Sequence, residues 1–185
     1  MVQTKLLTAE DLIGLPDEFE LYEGVPRGVA AAPDASAIAV HCATLLGMAV
    51  SRHRLGIVFG ADASFRLARN PDTVYLPDAA FVRASRIRTR DDLGYPFAGP
   101  PDLAVEVRSP SDRISDLDHK MRTYLALGTL LGWAVDPVQR IITVYRPGEE
   151  PVVLRGDDTV TAGDLIPGFS VQVADVFSLG GFFPE

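Results

Sequence analysis

The chain has 185 residues, and 47% of them are hydrophobic, which is enough for one compact domain with an apolar core. Its single cysteine, Cys42, excludes an intramolecular disulfide and a cysteine-based zinc site, and it fits a cytoplasmic location. With 17 Lys and Arg against 25 Asp and Glu, the net charge is −8, which argues against nucleic-acid binding through a generally basic surface. Residues 1–10 lack a signal-peptide pattern, and the apolar stretch Ala35–Val50 is too short and too polar for a membrane span, so we expect no membrane segment.

The first elements in the chain are predicted to be a short helix and a hairpin. Thr8–Asp11 resembles a capping box ahead of the apolar run Leu12–Leu15, and Pro16 is expected to end that helix. Apolar and polar residues alternate over Phe19–Gly24, and a second strand is expected within Val25–Ala32 after the glycine turn.

A long helix is predicted next, capped by Asp34 or Ser36 and ending near His53. Its apolar side is expected to carry Ile38, Leu45, Leu46 and Ala49.

The middle of the chain reads as short strands and turns. Strands are predicted at Gly56–Gly60 and Ala63–Leu67, followed by a turn at Asn70–Asp72. A further strand is predicted over Tyr75–Val82, where Pro77 confines regular pairing to the residues after it. Residues 84–101 are expected to be loop-like or weakly helical.

The second half contains a strand, a helix and then more strands. Asp102–Arg108 is a predicted strand, and a helix is expected from Ser111 or Asp112 to Leu127, with Gly128 as its stop. Strands at Leu131–Val135 and Ile141–Tyr145, two more short strands and a terminal turn complete the chain. The expected fold is a single α/β (α+β) domain over residues 1–185, with a mixed central sheet.

Two carboxylates in apolar strands stand out. Strand alternation places Leu103, Val105 and Val107 on one face and Glu106 on the other. Asp78 is followed directly by Ala79–Val82, so it too is expected on a buried strand. A buried carboxylate needs a compensating charge, and two of them beside small alanines suit Mg²⁺, with Mn²⁺ as a substitute. The alternative is structural: Asp78 capping a turn, and Glu106 paired with an arginine such as Arg83.

Lys120 lies on the helix predicted to end at Leu127, beside an apolar stripe that passes through Tyr124. Its stem can follow the core edge and bring the ammonium toward the sheet, although a surface lysine has the same spacing. The stripe consists of Ile114, Leu117, Met121, Tyr124 and Leu125. His41, His53 and His119 lack metal-ligand spacing, and Trp133 and Tyr145 are expected in the core.

In order along the chain, a set of segments resembles the Uma2 (DUF820) family of the PD-(D/E)XK, restriction-endonuclease-like superfamily. The resemblance runs from about Leu7 to Phe177. The segments that carry it are Phe19–Gly24, Leu76–Val82, Asp102–Ser111, Lys120–Tyr124 and Trp133–Pro137.

The resemblance implies a restriction-endonuclease-like fold, with a mixed central sheet between helices, and a Mg²⁺-dependent site that cleaves phosphodiester bonds in DNA. By position, Glu20 corresponds to an early helper acid, Asp78 to the aspartate of the PD element and Glu106 to the acid of the (D/E)XK element. Lys120 corresponds to a lysine that has moved from the strand to the following helix. Asp78 and Glu106 would be the metal ligands.

Several positions depart from the family pattern, and two of them bear on the site. Val25–Arg27 stands where a further acid is usual, and Arg108 occupies the third position of the E-x-K element. An arginine cannot act as a base but can hold a phosphate, so either Arg108 or Lys120 would supply the cation of the site.

The sequence leaves three functions open. The first is a metal-dependent DNA endonuclease, for which a homodimer would help an acidic chain span a duplex. The second is a catalytically weak or inactive module of the same fold that binds nucleic acid or a protein partner in a mobile-element or defence system, which the −8 charge favours. Metal-free hydrolysis by two carboxylates, as in glycosidases, is the least favoured because the aromatic residues are mostly placed in the core.

Overall fold

The computed structural model describes residues 6–13, 15, 19–29, 32–110, 112–179 and 181–182. Its α-helices are α1 (Pro33–His53), α2 (Ile114–Ala126) and α3 (Val173–Phe177). Its strands are β1 (Phe19–Tyr22), β2 (Val25–Gly28), β3 (Gly56–Gly60), β4 (Phe65–Ala68), β5 (Thr73–Tyr75), β6 (Ala79–Arg83), β7 (Phe97–Ala98), β8 (Leu103–Val107), β9 (Leu131–Asp136), β10 (Ile141–Tyr145), β11 (Val152–Arg155), β12 (Thr159–Thr161) and β13 (Ser170–Gln172).

The central layer is a mixed sheet, as predicted. Within the described residues it has six strands in the order β11-β10-β9-β8-β6-β3, in which β8 and β9 are parallel and the other neighbours antiparallel. The hairpin β1–β2 belongs to a second sheet, whose described strands follow the order β2-β1-β5-β4-β7. The α+β fold with an N-terminal hairpin is therefore confirmed.

The alternation predicted for Asp102–Arg108 separates two apolar cores, one on each face of the central sheet. Leu103, Val105 and Val107 of β8 pack in the core that contains α1 and α3. Ala104 faces the other core, which contains Met121 and Tyr124 of α2 together with residues of the second sheet. Glu106 shares the face of Ala104, as expected from the strand period of two. Trp133 and Tyr145 are buried, as predicted.

The helix α1 covers one face of the sheet and was expected to be too short and too polar to cross a membrane. It is 21 residues long with a mean hydropathy of 1.4, which by length and composition alone is enough to cross a membrane. The expectation that this segment is too short and too polar was therefore wrong. Ile38, Cys42, Leu46 and Val50 are nevertheless buried in the core on one face of the sheet.

Several helix starts differ from the prediction. The first helix is a single 3-10 turn, Glu10–Leu12, although the Asp11 carboxylate does accept the Thr8 N–H at 2.8 Å; Pro16 lies outside the described residues. The long helix α1 begins at Pro33, before the caps predicted at Asp34 or Ser36, and its N-cap residue Ala32 has no side-chain acceptor. The second helix, α2, begins at Ile114, later than expected, and Ser111 lies outside the described residues.

The remaining differences concern short elements. Ile114 was placed in the apolar stripe of α2 but is 59% exposed, because it stands at the helix start, beyond the sheet. The strand β7 falls in a segment expected to be loop-like or weakly helical. No local pattern indicated this strand, because its pairing partner β4 is distant in sequence. Three short strands and α3 follow β10, where two strands and a turn were expected. Asp78 lies just before β6 rather than on a strand, because Pro77 delays regular pairing until Ala79.

Candidate active site

Glu106 is a buried carboxylate in the middle of β8, with its side chain under α2. It is 5% exposed, and its partner across the parallel pair with β9 is the small residue Ala134. The ammonium Nζ of Lys120 lies 2.7 Å from Oε2, and the hydroxyl of Tyr124 donates to Oε1 at 2.9 Å. Lys120 and Tyr124 are one helical turn apart on α2, so a single helix face supplies both donors. The sequence alternative in which Glu106 pairs with Arg83 is wrong, because Arg83 binds Asp102.

Glu20 reaches the same ammonium from the second sheet. Its Oε1 lies 2.8 Å from Lys120 Nζ and accepts the Leu76 N–H at 2.7 Å, while Oε2 accepts the Tyr22 hydroxyl at 3.0 Å. Glu20 is 5% exposed. Lys120 therefore bridges two glutamates that come from different sheets.

Asp78 completes the group and is only half-buried. Its Oδ2 accepts the N–H of Val107 at 2.6 Å, which ties the start of β6 to the end of β8. Asp78, Glu106, Glu20 and Lys120 line one cavity of about 310 Å³. The two carboxylates predicted as metal ligands thus face the same space rather than opposite sides of the sheet.

The electrostatics of the cavity reflect three carboxylates around one ammonium. Burial raises the pKa of Glu106 to about 8, and repulsion from Asp78 and Glu20 adds to the rise while Lys120 opposes it. Burial likewise raises the pKa of Asp78, and the Val107 N–H opposes the rise. Burial alone would lower the pKa of Lys120, but Glu106 and Glu20 raise it well above its usual range, so the ammonium is charged.

Two tyrosines orient the glutamates. Burial raises the pKa of the phenols of Tyr22 and Tyr124, which keeps both hydroxyls protonated as donors. Tyr124 is fully buried, and its ring packs edge-on against that of Tyr75 at a centroid distance of 5.1 Å. A hydroxyl held this firmly fixes the carboxylate that accepts its proton.

The donor set suits a hard divalent cation. Among the described residues, no three His, Cys, Asp or Glu side chains already stand in metal-binding geometry. Mg²⁺ does not require three protein ligands, since it binds through one or two carboxylates together with water and substrate phosphate. Asp78 and Glu106 provide such oxygens, and each carboxylate oxygen has a second lone pair beyond the one used by its N–H or O–H partner.

Arg108 does not lie in this cavity. Its guanidinium forms a two-pronged ion pair with Asp136, with Nε–Oδ2 at 2.9 Å and Nη2–Oδ1 at 3.0 Å, and its side chain is 10% exposed. The phosphate contact expected for Arg108 is therefore not supported by the geometry, because the parallel register that pairs Val107 with Val135 places residue 108 beside Asp136 at the end of β9. The cation beside the carboxylates is Lys120.

Two exposed arginines line the cavity and were missed as site residues from the sequence. Arg27 of β2 stacks its guanidinium 4.0 Å from the ring centre of Tyr22, and Arg113 precedes α2. Arg27 could have been predicted as a site residue from the hairpin alone. A two-residue turn at Glu23-Gly24 sets the register of the hairpin, and that register pairs Arg27 with Glu20. No comparable local pattern marks Arg113, which the loop after β8 brings to the cavity.

Comparisons with known proteins identify the family and the fold of the chain. The Uma2 family model, described as "Putative restriction endonuclease", matches residues 9–174. No curated protein matches the chain. A solved structure described as a "putative nuclease belonging to DUF820", from Anabaena variabilis ATCC 29413, is similar in fold at 23% identity and a TM-score of 0.80, with 94% of this chain and 98% of that chain covered. Since the family model covers most of the sequence, the chain belongs to the Uma2 family.

Proposed function

We propose that this protein is a Mg²⁺-dependent DNA endonuclease that hydrolyses phosphodiester bonds at the cavity of Glu20, Asp78, Glu106 and Lys120, with Mn²⁺ able to replace Mg²⁺. The observation that carries the proposal is the composition of the cavity, where three acidic side chains line one space with the Lys120 ammonium. A divalent cation beside Asp78 and Glu106 would favour the ionised form of Glu106, whose pKa burial raises to about 8. The family description and the nuclease-like fold support phosphodiester chemistry as the use of that cation.

In this proposal Asp78 and Glu106 hold the metal. When bound, Mg²⁺ lowers the pKa of water and neutralises charge that develops on the phosphorus centre. Tyr124 fixes the orientation of the Glu106 carboxylate through the 2.9 Å hydrogen bond. Glu20 holds Lys120, whose ammonium orients the attacking water or stabilises the negative charge of the transition state.

Arg27 and Arg113 are the groups that would meet the DNA backbone. Both are exposed and line the same cavity as the carboxylates. Two guanidinium groups there offset locally the net charge of −8, which would otherwise repel a polyanion. Replacing both by glutamine should weaken DNA binding and reduce its dependence on salt, while Mg²⁺ binding is retained.

We further propose that residues 1–185 act as one domain, in the cytoplasm, as a homodimer. Two copies would bring one site to each strand of a duplex, which a single acidic chain with one cavity does not do.

The test is cleavage of plasmid and single-stranded DNA with Mg²⁺ or Mn²⁺. Glu106→Gln should reduce the rate by about 10²-fold or more, a loss typical of removing one electrostatic group of an active site. Glu150→Gln, at an exposed acid far along the chain, is the control and should cleave like the wild type. Equal cleavage by wild type and Glu106→Gln would exclude this cavity as the active site.

One observation favours a second candidate, a non-catalytic module that binds nucleic acid or a protein partner. The net charge of −8 is unusual for a protein that grips phosphates without help from metal. DNA or protein binding that persists in EDTA and in Glu106→Gln, without cleavage by the wild type, would favour this candidate over the first.

A further inference from the structure

The connection between β6 and β8 concentrates positive charge in an acidic chain. We name residues 83–95, which begin this connection, the arginine loop. The loop has two acids, Asp91 and Asp92, and four arginines, namely Arg83, Arg86, Arg88 and Arg90. In a chain with a net charge of −8, this segment locally reverses the sign of the charge.

A fifth arginine meets the loop from α1. Arg54 follows the last residue of that helix with a left-handed backbone, φ 52° and ψ 39°, and it is exposed. The next residue, Leu55, accepts the N–H of Ala84 at 2.8 Å, and Gly56 pairs with Arg83 in the sheet. Arginines from two segments that are distant in sequence therefore lie together at one end of the central sheet.

One buried carboxylate anchors the loop without neutralising it. Asp102 is 2% exposed, and it binds Nε of Arg83 at 2.9 Å and Nη1 of Arg86 at 3.1 Å. The same nitrogen of Arg86 donates to the Pro100 carbonyl at 2.7 Å. One negative charge thus holds two guanidinium groups, and the side chain of Arg83 stays 46% exposed, so positive charge remains at the surface.

The other arginines have no carboxylate partner in the part of the chain that the structure describes. Arg54, Arg88 and Arg90 are exposed, and none of them forms an ion pair there. The neighbouring Asp92 carboxylate accepts the N–H groups of Arg88 and Thr89 at 2.7 and 2.8 Å, so it fixes the loop backbone rather than a guanidinium group. Three guanidinium groups are thus available to a ligand.

An exposed aromatic side chain lies on the same loop. Tyr95 is 58% exposed, and Leu93 before it is 39% exposed. The ring of Phe97, two residues after Tyr95, lies 5.6 Å from the guanidinium of Arg86, which keeps this end of the loop close to its arginines. A phenol ring beside guanidinium groups provides a face on which an unpaired base can stack and donors for the phosphates next to it.

The loop is at the opposite end of the central sheet from the cavity. Asp78 immediately precedes β6 and Arg83 ends it, a separation of about 17 Å along a strand. The strand β8 runs the other way, from the loop toward Glu106. Glu149 and Glu150 share the loop's end of the sheet, but they lie in the turn after β10, three strands from β6. The arginine loop is therefore a surface separate from the cavity.

We propose that the arginine loop, together with Arg54, binds single-stranded nucleic acid, with the arginines on its phosphates and one base stacked on Tyr95. Arginine suits this contact because its planar fork of N–H donors matches the oxygens of a phosphate. An acidic peptide would match the charge but has no base for the exposed ring. In a duplex the bases are stacked on one another and do not reach a ring on the protein. The binding needs no metal, and the proposal rests on the proposed function only in taking DNA as the first probe.

The first test measures binding of a fluorescein-labelled DNA single strand of about 20 nucleotides, longer than one typical site, by fluorescence anisotropy in EDTA. Arg88→Gln/Arg90→Gln should lower the affinity at low salt by at least about tenfold. It should also reduce the slope of log affinity against log salt by about 1.4, since each lost phosphate contact accounts for about 0.7. Arg140→Gln/Arg155→Gln is the matched control, because it removes the same charge from exposed residues near the β11 edge, and it should bind like the wild type.

The second test concerns the stacked base. Tyr95→Ala should weaken binding of the single strand by about fivefold or more without changing the salt slope, because a ring is lost but no charge. Tyr95→Phe keeps the ring and should bind like the wild type. Neither variant should affect binding of a duplex of the same sequence. Far-UV circular dichroism of each variant verifies that it is folded.

Failure of this proposal differs from failure of the nuclease proposal. A chain that cleaves DNA, but whose Arg88→Gln/Arg90→Gln variant binds the single strand like the control, would overturn the role of the loop and leave the cavity as the active site. A chain that binds through the loop in EDTA and cleaves no DNA with Mg²⁺ would support the loop and contradict the nuclease. Equal binding of an RNA strand would also support the loop, since phosphates and bases are common to both.

Three further results would overturn the proposal. One is a wild-type chain that does not bind the single strand at low salt up to about 100 µM, a concentration that detects even weak complexes. Another is a duplex that binds as tightly as the single strand, together with a Tyr95→Ala variant that binds like the wild type. The third is a poly-glutamate peptide that binds the same arginines as tightly as the single strand, since the loop would then fit an acidic protein segment.

Discussion

Glu106→Gln should change the pH dependence of stability in a way that reports the charge state of the cavity directly. The pKa of Glu106 rises from 4.5 to about 8 in the folded protein, mainly because burial penalises its charged form. A carboxyl group with a raised folded pKa contributes stability that is fully present below its unfolded pKa. That contribution is lost as the pH rises through the folded pKa, so the window runs from about pH 4.5 to about pH 8.

The magnitude follows from the same values. Each pKa unit corresponds to about 1.4 kcal/mol, so the rise from 4.5 to about 8 sets a ceiling near 5 kcal/mol. Lys120 shares its charge with Glu106 and Glu20, which reduces the difference that is measured. We expect metal-free Glu106→Gln to match the wild type near pH 5 and to be more stable by about 1–3 kcal/mol at pH 8.5.

Urea unfolding in EDTA, followed by circular dichroism between pH 5 and pH 8.5, measures this difference. Lys120 keeps an acceptor in the variant, because a glutamine oxygen replaces the carboxylate oxygen and Glu20 remains in place. Adding Mg²⁺ at pH 8.5 should then stabilise the wild type more than the variant. Parallel stability curves for the two proteins over the whole pH range would refute the view that Glu106 is a strained, uncompensated carboxyl group.

Further outcomes follow from contacts outside the cavity. Arg108→Ala should cost about 3 kcal/mol in urea unfolding at pH 7, because it leaves the buried carboxylate of Asp136 without its ion pair, whereas Arg122→Ala, at an exposed pair with Asp118, should cost less than about 0.5 kcal/mol. Burial raises the pKa of the Cys42 thiol to about 12, so the folded protein should not react with a thiol reagent at pH 8 but should react once unfolded in urea; rapid labelling of the native state would contradict this. Gly56→Ala should destabilise the chain, because its Cβ would collide with the backbone carbonyl of Val82, whereas Gly60→Ala at the other end of β3 meets open space and serves as the control.

Glu106 and Asp78 were predicted as site residues on different physical grounds. Glu106 was identifiable because alternation along β8 is strict, and a charged residue on the inner face of such a strand needs a partner that compensates its charge. Asp78 was inferred from the apolar run Ala79–Val82 that follows it, which is a weaker signal because Asp78 itself precedes the strand and lies after a proline. Its position in the cavity depends on the bond to Val107 N–H, which joins residues 29 positions apart in sequence. A contact between residues so far apart in sequence produces no periodic sequence pattern from which it could be predicted.

The position of the Lys120 ammonium depends on contacts that a local sequence pattern does not reveal. Helix spacing placed Lys120 at the edge of the apolar stripe, yet the same spacing fits a lysine in solvent. The direction of its ammonium is decided by Glu20, which reaches it from another sheet. Arg108 looked equivalent because it follows Glu106 closely, but a strand sends residues 106 and 108 along the same face toward different neighbours, and Asp136 is the neighbour of Arg108.

Glu20 therefore does more than add a third acid to the cavity. Its Oε1 is fixed by the Leu76 N–H and its Oε2 by the Tyr22 hydroxyl, so its position does not depend on Lys120. Glu106, by contrast, has only Tyr124 as a second donor. If a cation binds Asp78 and Glu106 as proposed, it would weaken the hold of Glu106 on the ammonium, and Glu20 would keep Lys120 in place. The early acid of the hairpin thus anchors the lysine, and this allows a lysine carried on a helix, rather than on the strand, to remain beside the two carboxylates.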